Sequence, residues 1–179
     1  MADHYYDQLA PGYDRLHKEE QLRKLQVMLS WLKTQRIPEG DCLDVGCGTG
    51  FNLDLLHASL HRSCIGIDPS KGMLAQYRGN QQVLQAAAED LPFPDDSFSL
   101  LVSVTAAQNF TDIPSAFAEM RRVLRPGGIL ALSCLQRSNQ LGLIAASIAE
   151  NFVVEEVIEA SQDLIFFCHS DKVPLDKAH

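Results

Sequence analysis

The chain has little of what would place it outside the cell, in a membrane or on a nucleic acid. Its five cysteines, Cys42, Cys47, Cys64, Cys134 and Cys168, form no Cys-x-x-Cys pair, and four lie in or beside apolar runs. They read as reduced core residues, not as a disulfide framework or a metal cage. The six histidines show no ligand spacing beyond His57 and His61, four apart, so no metal is expected. No run approaches the ~20 apolar residues of a membrane span. Met1-Ala2-Asp3-His4-Tyr5-Tyr6 lacks the basic and apolar regions of a secretion leader. These absences lead us to expect a soluble, cytoplasmic protein with no membrane contact. Positive charge is also scarce, with 15 Lys and Arg against 23 Asp and Glu and a net charge of −8. Broad binding to nucleic-acid phosphates is therefore not expected. The dense basic cluster, Arg121-Arg122-Arg125, reads as the cationic end of a solvated helix.

What is present is an alternation of short apolar runs and helical segments. A length of 179 residues with 46% hydrophobic content suits one domain over residues 1–179. Leu22, Leu25, Met28, Leu29 and Leu32 predict an amphipathic helix over 18–35, ended by Ile37-Pro38-Glu39-Gly40. Strands are expected near 41–45, 64–67, 82–85, 100–104 and 129–134, and helices near 51–60, 70–78 and 113–124. Asp112 can cap the last of these, with Pro114 in its first turn. Beyond a helix near 139–150, the runs Phe152–Glu159 and Leu164–His169 are joined by so short a turn that they must pair antiparallel. The expected fold class is α/β, a Rossmann-like, doubly wound and mostly parallel sheet with a C-terminal antiparallel hairpin.

The chemistry concentrates in Leu43-Asp44-Val45-Gly46-Cys47-Gly48-Thr49-Gly50, followed one strand–helix–strand unit later by Ile65-Gly66-Ile67-Asp68. A glycine loop between strand and helix lets a ligand lie on the backbone, where free N–H groups point outward. Asp68, ending the second strand, stands where such folds place a carboxylate on ribose hydroxyls. A nicotinamide oxidoreductase remains open on these two features alone.

Two further boxes narrow the reading: Leu91-Pro92-Phe93-Pro94-Asp95-Asp96-Ser97-Phe98 and Arg122-Val123-Leu124-Arg125-Pro126-Gly127-Gly128. In this order the four segments resemble the class I S-adenosylmethionine (SAM)-dependent methyltransferases, in the branch of the ubiquinone/menaquinone C-methyltransferases. The resemblance implies SAM as cofactor, S-adenosylhomocysteine (SAH) as product and a methyl acceptor of unidentified kind. It implies a cofactor site made by Tyr13, Asp44, Gly46, Cys47, Gly48, Gly50, Asp68, Pro69, Met73, Ala88, Glu89 and Thr105. Asp68 would take the ribose. Asp44 would order the loop or meet the amino group of the methionine end. Residues 1–17 would form a lid, since Tyr6-Asp7-Gln8-Leu9-Ala10-Pro11-Gly12-Tyr13-Asp14 is similar to the family's Tyr-Asp-x-x-Ala-x-x-Tyr-Asp pattern.

Catalytic candidates are Tyr6 and Tyr13, whose rings could face the sulfonium, and Gln108 and Asn109, which could orient an acceptor. No base is assigned. Thr105-Ala106-Ala107-Gln108-Asn109-Phe110 lacks the Asn-Pro-Pro-Tyr signature of amide- and base-nitrogen methylation, so those acceptors are not expected. Two positions depart from the family pattern. Ala87 stands where relatives carry an adenine-binding Asp, and Ser99 replaces an Asp at the start of the fourth strand. A protein partner or a homodimer would suit a site with so little chain to cover it. The competing expectation is a SAM-binding, catalytically silent module acting through a partner.

Overall fold

The computed structural model describes residues 13–170, with side chains from Glu19 onward. Helix α1 (Tyr13–Leu32) leads into β1 (Asp41–Val45), α2 (Phe51–Leu60), β2 (Cys64–Asp68), a short α3 (Lys71–Leu74) and β3 (Gln82–Gln85). Then follow β4 (Phe98–Val104), α4 (Ile113–Val123), β5 (Leu124–Leu135), α5 (Leu141–Asn151), β6 (Val153–Ala160) and β7 (Asp163–His169). The seven strands form one sheet in the order β3-β2-β1-β4-β5-β7-β6. The first five pair in parallel, while β7 runs antiparallel to both β5 and β6. The expected α/β fold and terminal hairpin are thus observed.

Parallel strands covered on both faces must be apolar throughout, and β4 is buried along all seven of its residues. On one face Leu25, Met28 and Leu32 of α1 pack with Leu53 and Leu56 of α2 on Leu100, Val102 and Phe167. Trp31 stacks on Phe167 at 4.2 Å between ring centres. On the other face Phe117 and Met120 of α4 join Ile144 and Ile148 of α5 over Leu101, Leu130 and Phe166. The caps of α4 are those expected: Asp112 Oδ1 accepts from the Ser115 N–H at 3.2 Å, with Pro114 in the first turn.

Three elements differ from expectation by more than two residues. Helix α1 begins at Tyr13, inside the segment 1–17 expected as a lid, and ends at Leu32, because the Thr34 and Gln35 N–H groups turn back to Trp31 and Leu32. Residues 1–12 lie outside the described part, and with them Tyr5 and Tyr6. The helix expected over 70–78 is only the single turn Lys71–Leu74, capped by Ser70. Gly72 weakens it, and Tyr77 is drawn away so that its hydroxyl donates to Asp54 (3.2 Å) and accepts from the Gln81 N–H (2.9 Å). Strand β5 begins at Leu124, five residues before the expected 129, because Leu124 already pairs with Phe98. The ladder then skips to Leu100–Ile129, with Arg125–Gly128 bulging between.

Candidate cofactor cleft

Strand order reverses between β1 and β4, whose following loops diverge to opposite sides of the sheet. Such a switch point leaves a crevice at the carboxyl ends of the strands. The cleft there is lined by Gly46 and Gly48 after β1, Asp68, Pro69 and Ser70 after β2, Met73, Ala86–Glu89 after β3, and Val104–Ala106 with Asn109–Thr111 after β4. Most of the residues that the sequence assigned to a cofactor meet in this one cleft: Gly46, Gly48, Asp68, Pro69, Met73, Ala88, Glu89 and Thr105.

The glycines serve local sterics. Gly46 has φ of 77°, and a Cβ there would stand 2.5 Å from the Ala106 Cβ, which packs against it. Gly50, also at positive φ, starts α2 beneath the Tyr77 ring, which a Cβ would meet at 2.7 Å. Gly50 and Cys47 are therefore part of the loop's support and do not line the cleft. Cys47 is buried against Gly66, where desolvation pushes its thiol well above the usual range.

Asp68 is held at the rim by two backbone donors. Its Oδ2 accepts from the Gly48 N–H and its Oδ1 from the Ser70 N–H, each at 2.9 Å. These bonds tie β2 to the glycine loop and fix the carboxylate toward the cleft. Asp44 lies behind the loop, fully buried, and neither carboxylate oxygen has a hydrogen-bond partner. Burial, with the Asp68 charge added, raises its pKa to about 7, while the Asn52 amide alongside acts in the opposite direction. A buried carboxylate with only one amide beside it is a costly arrangement for the protein alone. It fits a site completed by a cationic group.

The other candidates are placed as follows. Asn109 reaches the cleft. Gln108 does not: its Nε2 donates to the Thr105 carbonyl at 2.7 Å and its Oε1 is buried without a partner. Glu89 lines the mouth, but its Oε1 accepts from the Thr111 and Asp112 N–H groups at 2.6 and 3.0 Å, which fastens the loop before α4. Tyr13 opens α1, and its side chain lies outside the described residues, as does all of Tyr6. Ala87 is exposed on the cleft wall, so no carboxylate occupies that position. Ser99 has a structural contact: its hydroxyl accepts from Arg62 at 2.7 Å and donates to the Asp41 carbonyl at 3.3 Å.

Sequence reading missed a polar cluster directly under the cleft. Thr105 presents backbone to the cleft but turns its hydroxyl inward. There it accepts from Lys24 Nζ (3.0 Å) and donates to Asp163 Oδ2 (2.7 Å), with Gln21 Oε1 at 3.2 Å. Lys24 and Asp163 are an ion pair at 2.9 Å, with side chains 1% and 0% exposed. A signal was present in α1, where Gln21 and Lys24 stand among the apolar stripe Leu25, Met28, Leu29 and Leu32. Polar residues on a core-facing stripe imply a buried partner.

Among the described residues no group of His, Cys, Asp or Glu could hold a metal, no helix is long and apolar enough to cross a membrane, and all five cysteines are free and buried. The basic cluster is engaged locally. Arg122 pairs with Glu119 and Asp95, and Arg125 donates to the Glu39 and Ser97 carbonyls.

A family model described as a methyltransferase domain matches residues 43–132. An uncharacterised protein of Methanocaldococcus jannaschii is 37% identical over 128 residues, which cover 70% of this chain and 48% of that protein. The demethylmenaquinone methyltransferase of Symbiobacterium thermophilum is 33% identical over 154 residues, covering 74% of this chain and 57% of that enzyme. The chain thus spans roughly half the length of these curated relatives. Among solved structures, the complex of the Haloferax volcanii Trm112 methyltransferase activator with a candidate methyltransferase contains a chain of the same fold. It superposes with a TM-score of 0.79 at 17% identity, over 93% of this chain and 98% of that one.

Proposed function

Because the chain belongs to the class I SAM-dependent methyltransferases, we propose that it transfers a methyl group from SAM to an acceptor entering between Ala106, Asn109 and Thr111. The observation that carries this reading is the Asp68 carboxylate, fixed by Gly48 and Ser70 at the rim of a glycine-walled cleft. Bound there, SAM supplies a methyl group on positively charged sulfur with a neutral thioether as leaving group. Asp68 accepts the ribose hydroxyls, each charge-assisted bond contributing ~1.5–3 kcal/mol. Gly46 and Gly48 allow the backbone to approach the methionine end. Asp44, buried behind the loop, orders it and favours the ammonium of that end through its charge, being ionised when that cation is present. Pro69, Met73 and Ala86–Ala88 border the adenine, whose amino group meets backbone near Ala88 in place of the missing carboxylate at Ala87.

Among the described residues the cleft is lined by no histidine or lysine, and Glu89 is engaged with backbone. Alignment of the reacting atoms therefore supplies the acceleration, a contribution that reaches ~7–11 kcal/mol in well-oriented reactions. The acceptor is a small molecule, or a macromolecule when a protein partner completes the site. The activator complex of the Haloferax volcanii neighbour supports the second form. The same features favour one rival reading, a silent SAM-binding module acting through its partner, since Ala87 supplies no carboxylate and Glu89 at the mouth is engaged with backbone.

Calorimetry should show SAM and SAH binding with no response to NAD; the reverse result would sink the cofactor assignment. A tritiated-SAM assay on fractionated extract, split into metabolite, protein and RNA pools, should then label one pool. Binding without transfer into any pool would favour the silent module.

A further inference from the structure

Thr105 directly follows β4, with φ of 54°. Among the described residues the other non-glycine positive φ values belong to His61, Asp96 and Ser161, none of them β-branched. A β-branched residue in the left-handed region is strained and persists only where its surroundings over-determine it. Here they do. The Thr105 N–H donates to both the carbonyl (3.0 Å) and the hydroxyl (2.9 Å) of Ser133, and its own carbonyl accepts from Gln108. Its hydroxyl sits between Lys24 and Asp163.

The strained turn reaches the cleft through the next residue. Ala106 lies so near Gly46 that only a glycine fits opposite it. The direction in which the chain leaves Thr105 therefore sets how the loop after β4 seats against the glycine loop, and both loops line the cleft that a cofactor must enter. The hydroxyl that fixes this direction is gripped by α1 on one side and by the start of β7 on the other. We propose that Thr105 is a positioning residue: held by the buried Lys24–Asp163 pair, it sets the spacing of Ala106 from Gly46, and so couples the seating of α1 to cofactor binding. This rests on the SAM reading of the cleft. A merely structural ion pair would need no threonine between its members, and an apolar cluster of equal volume would serve stability as well or better.

Thr105→Val keeps the side-chain shape and removes the hydroxyl. Measured by calorimetry well below the unfolding temperature, its affinity for SAH should fall about tenfold, a loss within the range of couplings between contacting residues. Thr105→Ser, which restores the hydroxyl, should bind nearly as wild type does. A purely structural hydroxyl would lower the unfolding midpoint and leave the Kd of the folded protein unchanged, and that result overturns the proposal. If Thr105→Val does not fold, the wild-type protein still decides the matter. SAH should slow hydrogen exchange at Gln21–Met28, although α1 supplies none of the described residues lining the cleft, and unchanged exchange there overturns the coupling. Wild-type protein that fails to bind SAH removes the SAM reading and this proposal together. Wild-type binding with an unaffected Thr105→Val removes this proposal alone.

Discussion

At the amino ends of the parallel strands, the Arg62 guanidinium donates to the carbonyls of Ile37, Pro38 and Gly40 and to the Ser99 hydroxyl. At the carboxyl ends, the Asp44 carboxylate, with only the Asn52 amide alongside, and the Gln108 Oε1 are buried without a well-formed hydrogen bond. Arg122 and Arg125 repeat the first pattern, fastening the Leu91, Phe93, Glu39 and Ser97 carbonyls, with Arg125 Nε as the exception left unpaired. Positive φ occurs at both ends, at Gly46, Gly48, Gly50 and Thr105 beside the cleft and at Gly40, His61, Asp96 and Gly127 opposite it. One end of the sheet has its carbonyls fastened by arginine donors, with Arg125 Nε and His169 Nδ1 left unpaired, and stabilises the fold. The other leaves a buried carboxylate unmet where a ligand is to be received, as folded proteins do at their working sites.

Substitutions should separate the two ends. Arg62→Ala strands several carbonyls at the amino ends and should cost about 3 kcal/mol or more of unfolding free energy. Its SAH affinity should stay at the wild-type level, and a large change in Kd would break the division.

Asp44→Asn acts in the opposite sense. Because the folded-state pKa is raised from the ordinary carboxylate value to about 7, the folded protein binds more protons than the unfolded chain between those limits. Stability should therefore fall as pH rises from about 4 to about 7 and stay low above it. Removing the charge should flatten this dependence and stabilise the ligand-free protein at pH 8 by about 2 kcal/mol, allowing for relaxation. Denaturant midpoints at pH 5, 6 and 8 test this, and parallel slopes in both proteins would refute it. In the same series SAH affinity should increase with pH in the wild type only.

Asp68→Ala should leave the fold intact and weaken SAH by about tenfold or more, ~1.4 kcal/mol at least. Unchanged affinity in the folded variant would move the ribose contact elsewhere. The smallest effect is expected from Ala87→Asp, which restores an acceptor for the adenine amine. The net gain should be ~1 kcal/mol or less after partial desolvation of the new carboxylate. An SAH analogue lacking that amine should show no gain; equal gains for both ligands would mean that the charge acts through the general field.

What could be read from the sequence was what local signals encode. The glycine loop, Asp68 and the capped helix α4 each depend on neighbours within a few residues, and each appears where expected. The segment 70–78 failed for the converse reason. Its helical pattern was overridden by Tyr77, whose ring and hydroxyl serve Gly50 and Asp54 on another element. The inward hydroxyl of Thr105 was invisible because its partners lie 81 residues before it and 58 after it. Lys24 stood on the apolar stripe of α1, where no neighbour in sequence names its partner. The tertiary pairing of Gln21 and Lys24 with Asp163 is not encoded in any local window.

That pairing bears on the order of assembly. Synthesis releases α1 before the sheet, yet Asp163 at the head of β7 is made only near the end of the described residues, and so is Phe167, on which Trp31 stacks. Until then the Leu25–Leu32 stripe has only part of its covering and Lys24 has no buried carboxylate to meet. Non-local closures of this kind slow folding, and a transiently exposed apolar stripe invites aggregation. On the ribosome, α1 must wait beside a growing parallel sheet until the last hairpin arrives and seals it in place.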